Sequence, residues 1–292
     1  MILSDDRVEA RVEPAAGPTL SRRRELSGGS ARSLLMTVLG EFMLPADEPV
    51  WTATLVDVLA LLDIEEKSAR QALARTAAEG WLDSERLGRR VRWNLTAQGR
   101  RLLETGAARI YSFGTDGPDW DGQWLMILVS VPESLRDLRH RLRTRLTWAG
   151  FGTPTPGVWI SPRTEAESDA RRILTDLALP TTAMSFVGRY GALGEQADMV
   201  AAAWDLAEVA ECYERFIGEI TGLAPDSPNR VLRAQTRLVH EWRRFPFLDP
   251  QLPRQLLPAH WIGTRAADLF ADRHARWQPE ATRRWRELAA RG

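Results

Sequence analysis

The sequence predicts an α+β multidomain protein with an N-terminal winged helix-turn-helix, a middle ferredoxin-like βαββαβ domain and a C-terminal helical domain. Three observations carry this expectation. Residues 31–95 hold three apolar-striped helical patterns followed by an arginine-rich hairpin. Residues 120–190 alternate strand and helix patterns in the order β-α-β-β-α-β. Beyond residue 195 the periodicity is helical throughout, broken by prolines. A chain of 292 residues is longer than one typical domain. The expected divisions are a flexible arm at 1–30, a DNA-binding unit at 31–113, the middle domain at 120–190 and the helical domain at 195–292.

The arm is polar and carries Pro14, Pro18, Gly28 and Gly29. Its Arg22, Arg23 and Arg24 read first as a solvated tail, with phosphate contact as the alternative. The first helix follows at Ala31–Leu44, with Leu34, Leu35, Val38, Leu39 and Phe42 on one stripe and Pro45 and Pro49 to end it. Thr52 or Thr54 is placed to cap a second helix that buries Leu55, Val56, Val58, Leu59 and Leu62. Asp63, with Glu66 three residues on, has the spacing of a capping box and is expected to open the third helix, 64–79.

The third helix is the informative one. At 100° per residue, Ala69, Ala72, Leu73 and Thr76 share a small, apolar face suited to packing on other helices. The opposite face carries Lys67, Arg70, Gln71, Ala74 and Arg75 and no carboxylate. Arginine and lysine suit phosphate and guanine, and glutamine suits adenine. The candidate groove contacts are Lys67, Ser68, Arg70, Gln71 and Arg75. Gly80 is expected to close the helix. Strands at 81–86 and 90–95 then flank a Leu87-Gly88-Arg89 turn, and Arg89, Arg90 and Arg92 crowd its tip as candidate backbone contacts. Thr96 is placed to cap a helix running to about Ile110. From residue 67 to 101 there are nine positive side chains against three negative, in a chain whose formal net charge is +0. Positive charge is therefore concentrated where a helix and hairpin would meet double-stranded DNA.

In the middle domain, residues 123–131 form a long apolar strand, expected at the centre of a sheet. Pro132 and Glu133 are expected to open a helix through Trp148, with Leu135, Leu138, Leu142 and Leu146 on one side and five arginines on the other. Two short strands lie in 151–161, a second helix at 165–178 and a last strand at 182–188. Metal-dependent nuclease chemistry on this fold wants a carboxylate at the end of the first strand to hold a hard cation. Here the strand ends Ser130-Val131-Pro132, which disfavours a nuclease.

The C-terminal region reads as one amphipathic helix at 197–220, a loop at 225–228, a helix at 229–245 and renewed helix at 261–270. Between the last two lies an unusual run, Trp242-Arg243-Arg244-Phe245-Pro246-Phe247-Leu248-Asp249-Pro250. Such a segment either locks helices together through its aromatics or lines a pocket where arginines meet an anion. The candidate effector residues are Trp204, His240, Trp242, Arg243 and Arg244. One cysteine, Cys212, rules out an intramolecular disulfide, fits a reducing compartment and reads as an inert thiol on a helix. The four histidines form no close pair, so neither a metal site nor a metal cofactor is expected. No apolar stretch is long enough to span a membrane, and no signal peptide is apparent. A cytoplasmic location is the expectation.

The motifs Arg70-Gln71-Ala72-Leu73-Ala74-Arg75 with Gly80-Trp81-Leu82, Trp204-Asp205-Leu206, and the run at 242–250 with Leu256-Leu257-Pro258 together resemble the PaaX family of phenylacetate-catabolism repressors. The resemblance covers about residues 31–285. It implies a homodimeric, sequence-specific DNA-binding transcriptional repressor of a catabolic operon, not an enzyme. It also implies release from DNA by an acyl-CoA effector such as phenylacetyl-CoA. The alternatives are a regulator of the same family with an unrelated target and ligand, or a nuclease or hydrolase built on the ferredoxin-like domain.

Overall fold

The computed structural model describes residues 30–114, 119–179 and 182–291. The arm and its three arginines lie outside the described residues, apart from Ser30.

The N-terminal part opens with α1 (Ala31–Val38), whose N-cap Ser30 side chain accepts from the Ser33 amide. The helix does not stop before Pro45. It runs on through a π turn (Leu39–Met43) and a final turn (Leu44–Ala46), ending where Asp47 adopts φ 53°. Proline is tolerated because the ladder closes around it, Leu44 N–H to Leu39 and Asp47 N–H to Met43. Strand β1 (Val50–Trp51), absent from the sequence reading, leads into α2 (Thr52–Ala60). Neither threonine caps α2. Thr52 Oγ1 instead donates to Val91 O and accepts from Trp93 Nε1, and Thr54 Oγ1 donates to Leu288 O.

Helix α3 (Glu66–Ala78) buries Ala69, Ala72, Leu73 and Thr76, the face expected from the wheel. The expected capping box is not formed. Glu65 occupies the cap without a side-chain bond, and Asp63, at φ 64°, gives its carboxylate to Arg233 instead. A two-pronged guanidinium bond outcompetes a single amide for the same oxygens. Gly80 ends the helix at φ 76°. Strands β2 (Leu82–Leu87) and β3 (Arg90–Leu95) pair antiparallel from Leu82↔Leu95 to Leu87↔Arg90. The turn is thus Gly88-Arg89, one residue shorter than expected, and β1 adds to the outer side of β3. Helix α4 (Ala97–Tyr111) follows, with Thr96 Oγ1 accepting from Gly99 N as its cap.

The middle part runs β4 (Gln123–Val129), α5 (Arg136–Trp148), β5 (Gly152–Thr155), β6 (Val158–Ser161), α6 (Glu167–Asp176) and β7 (Ala183–Arg189). Its four strands are antiparallel, ordered β5-β6-β4-β7, with β4 internal. Helix α5 starts later than expected, because Pro132–Leu135 forms a separate turn that leaves Leu135 exposed. The sheet's period-two alternation splits its apolar residues between two layers. Leu125, Ile127, Val129 and Trp159 pack under α5 and α6. Trp124 and Ile160 face the opposite side, against Trp204, Leu252 and Leu256.

The helix expected over 197–220 is two helices, α7 (Gln196–Ala203) and α8 (Leu206–Thr221). Trp204 is extended at the break, and Asp205 caps α8 by accepting from Glu208 N. Helix α9 (Pro228–Trp242), the short α10 (Phe245–Leu248) and α11 (Ile262–Arg291) complete the chain. Helix α11 runs well past Phe270 and carries Pro279 internally.

The N-terminal core is not closed by its own helices. Leu232 of α9 and Ala281 and Trp285 of α11 belong to the cluster that contains Leu35, Leu55, Leu59 and Leu73. Trp285 is fully buried and stacks on Phe42 at 5.5 Å. Replacing a buried tryptophan by alanine costs about 3–5 kcal/mol. Trp285→Ala is therefore expected to lower unfolding free energy by that order in urea titration. A loss below about 1 kcal/mol would mean that α11 does not complete this core.

Candidate nucleic-acid interface

The exposed face of α3 is set by what its other face must bury. Ala69 and Ala72 let α3 lie close against α1 and α2, and Thr76 Oγ1 satisfies itself on Ala72 O at 2.8 Å. Lys67, Arg70, Gln71, Ala74 and Arg75 are left exposed together, with Ser68 half-buried beside them. The hairpin is held next to this face by a close contact. A Cβ at Gly99 would sit 2.1 Å from Trp81 O, so α4 approaches the start of β2 only because residue 99 is glycine.

The cations differ in what already engages them. Arg70 Nε pairs with Glu66 one turn earlier at 2.8 Å. Arg92 pairs with Glu85, its cross-strand partner, at 2.8 Å. The Arg90 guanidinium lies over the Trp51 ring at 4.0 Å. Lys67, Arg75 and Arg89 have no ion pair among the described residues. Arg89 stands at the hairpin tip, and Lys67 and Arg75 lie two turns apart on α3. The first two ion pairs are solvent-exposed, so opening either one toward a phosphate costs at most about 1 kcal/mol. The arrangement offers an anion three free cations and three more held in place by weak contacts.

Sequence reasoning missed the supports of this surface. Trp51 sits on the short strand β1 that it did not register. Arg32 reaches from α1 to pair with Glu79 at the end of α3, and lies over the Trp81 ring at 5.2 Å. The Glu66–Arg70 pair was legible from its i,i+4 spacing.

The five candidate effector residues are not brought together. Trp204 stacks on Trp124 at 6.2 Å and presses against Gly152, where a Cβ would lie 2.5 Å from its ring. It bolts the middle sheet to the 250s segment. Trp242 is buried, stacks on Phe270 at 4.6 Å and donates from Nε1 to Ile110 O. Arg244 pairs with Glu241 at 2.8 Å. His240 is buried against Thr37, with Nδ1 2.9 Å from Oγ1. Of the five, Arg243 alone points into an open space, with Nη2 donating to Ser33 Oγ at 2.6 Å. The proline-broken run therefore serves packing at Trp242 and Phe245, while Arg243 and Phe247 face a cavity. Cys212 is half-buried on α8 with the Arg215 guanidinium 3.0 Å from its sulfur.

Family profiles match three stretches of the chain: "PaaX-like protein" at 30–99, "PaaX protein central Cas2-like domain" at 117–200 and "PaaX-like protein C-terminal domain" at 204–287. A curated relative, the transcriptional repressor PaaX of Escherichia coli strain K12, is 31% identical over 265 residues, spanning 86% of this chain and 82% of that protein. The chain belongs to the PaaX family. That relative is a repressor rather than an enzyme. A solved structure, the uncharacterised protein Rv0674 from Mycobacterium tuberculosis, covers 89% of this chain and 98% of its own at TM-score 0.59 and 22% identity. It shares the fold. Among the described residues, no helix of this PaaX-family chain is long and apolar enough to cross a membrane.

His240 gives a pH signature. Burial, then the nearby Arg243, Arg244 and Arg237, push its pKa from 6.5 down to about 3. The unfolded chain thus binds a proton at this residue that the folded chain refuses. Its contribution to stability is full above pH 6.5 and is lost as pH falls toward 3. His240→Asn keeps a hydrogen-bonding group near Thr37 and removes the titration. Urea titrations from pH 7 to 4 are expected to show a shallower loss of stability in this variant; parallel curves would mean that His240 titrates normally in the fold.

Proposed function

We propose that this chain is a cytoplasmic, sequence-specific, DNA-binding transcriptional repressor. In this reading residues 31–113 form a winged helix-turn-helix, 120–190 a ferredoxin-like domain and 195–292 a helical domain. The observation that carries it is the single exposed face of α3, with Lys67, Arg70, Gln71 and Arg75 beside the Arg89 hairpin tip. The repressor name of the Escherichia coli relative supports it. Helix α3 enters the major groove, where Arg70 and Gln71 read base edges, and Arg89, Arg90 and Arg92 hold the backbone. The chain order βαββαβ and the strand order β5-β6-β4-β7 support the ferredoxin-like assignment.

The protein acts as a homodimer presenting two α3 helices to successive major grooves about 34 Å apart. Strand β7, at the sheet edge with Met184, Phe186 and Val187 exposed, supports pairing with a second copy. The target is a catabolic operon of the phenylacetate type, and an acyl-CoA, phenylacetyl-CoA in the family's name-giving members, releases the repressor. An effector that favours a differently spaced dimer lowers operator affinity, because spacing and binding share one equilibrium.

Fluorescence anisotropy on DNA from upstream of the chain's own gene tests the assignment. Arg70→Ala and Gln71→Ala are each expected to cost about 1–3 kcal/mol on the operator and to relax sequence preference. Arg89→Ala is expected to weaken binding to all sequences alike and to reduce the salt slope by about 1. Unchanged operator affinity in Arg70→Ala would overturn the role given to α3.

A further inference from the structure

Behind the exposed face of α3 lies a cavity of about 580 Å³, walled by α1, α3, α4 and the end of α9. Its polar wall carries Arg32, Arg75, Arg109 and Arg243 against one carboxylate, Glu41. Glu41 is already satisfied. It is buried in the π turn of α1, accepts from Tyr111 Oη and from Gln235 Nε2 at 2.7 Å, and lies 3.2 Å from His274 Nε2. Arg32 is held by Glu79. The other three arginines have no carboxylate partner among the described residues.

Two of them are placed at a cost. Arg243 Nε is buried without a hydrogen-bond partner, and its guanidinium touches protein oxygen only at Ser33. Arg109 is pinned across the Phe247 ring at 4.1 Å, with Nη2 donating to Pro246 O. Burial lowers the pKa of both, that of Arg243 to about 10. Desolvating unpaired cations destabilises a fold unless an anion compensates them. The remaining wall is apolar, with Met36, Leu102, Ile110 and Trp148 among its residues. Volume and lining are those of a small-molecule site.

We propose that this cavity binds an organic anion bearing an apolar or aromatic group, and that the ligand competes with DNA for Gln71 and Arg75. Those two residues belong to the exposed face of α3 and also line the cavity. A bound anion draws the Arg75 guanidinium inward, away from phosphate. The competition rests on the DNA-binding role given to α3; the binding of the anion does not. Coupling through shared side chains makes occupancy by ligand and by DNA mutually weakening. The anion is either a free aryl carboxylate or the same acyl group carried on coenzyme A, whose phosphates supply the charge.

Gly106 supplies a clean steric test. It lines the cavity from the middle of α4, and a Cβ there meets nothing within 4 Å, so a side chain enters the cavity without displacing the fold. Isothermal titration of the full chain with phenylacetate, coenzyme A and phenylacetyl-CoA reads binding without DNA. Wild type is expected to bind phenylacetate or phenylacetyl-CoA at one per chain. Gly106→Leu and Arg243→Gln are each expected to weaken that binding about tenfold or more, with melting temperature as the control for folding. Binding of phenylacetate alone identifies the free acid as sufficient; binding of the thioester alone assigns the charge to coenzyme A. Failure of both to bind, or affinity unchanged in a folded Gly106→Leu, overturns the site. In anisotropy on the upstream DNA, saturating ligand is expected to lower wild-type affinity about tenfold and to leave Gly106→Leu bound. Ligand binding without that loss overturns the competition. Absence of any DNA binding, with ligand binding intact, faults the DNA reading and leaves the site standing.

Discussion

The structure depends on the docking of α9 and α11 onto the N-terminal helices. Trp285 and Leu232 fill a core that α1 to α4 leave open, and Arg233 grips Asp63 in the turn just before α3. The apolar contact supplies most of the free energy, because the Arg233–Asp63 pair is exposed and such pairs contribute little. The pair has a different effect. It fixes the backbone at φ 64° two residues from the helix start, so it sets where α3 begins and which way its exposed face points. A surface that reads DNA has to be held to a fraction of an ångström, and here the far end of the chain holds it.

That arrangement explains which parts of the fold were legible in the sequence. The buried face of α3, the hairpin, the Thr96 cap and the alternation of β4 are local patterns, and each reports its own geometry through periodicity or turn chemistry. The missed features are contacts between distant segments. Asp63 has the spacing of a capping residue, and no local rule foretells that Arg233 takes its carboxylate. Thr52 and Thr54 read as caps and are spent on β3 and α11. Trp204 and Asp205 sit in an unbroken apolar pattern, yet Gly152 admits the Trp204 ring and breaks the helix there. In each case a long-range partner outcompeted a local one for the same side chain.

The candidate effector residues failed for a related reason. Tryptophan, arginine and histidine crowded into one proline-broken run suggested a pocket, and composition cannot say which way each side chain turns. On the last turn of α9 and beyond it, Trp242 and Phe245 face the core while Arg243 faces α1. A helix sends residues one apart in directions 100° apart, so consecutive members of one motif divide between packing and a cavity. The remaining cavity walls come from α1, α3 and α4, far from that run in sequence and invisible to motif reading.

Net charge also needs a local account. The chain balances 39 basic against 39 acidic residues, yet the face of α3 and the hairpin tip are strongly basic. With a Debye length of about 8 Å at physiological salt, a phosphate held against α3 responds to Lys67, Arg75 and Arg89 and little to distant carboxylates. The same screening makes the inner side of α3 a separate electrostatic compartment. Arg243 and Arg109 lie behind the helix in a low-dielectric wall, where an unpaired cation costs far more than at the surface. An anion gains more by entering that wall than by resting on the exposed face. The inner compartment therefore favours a single compact anion with an apolar body, and the outer one favours a polyanion. Arg75 and Gln71 line both, and this shared position is what would let occupation of one be felt at the other.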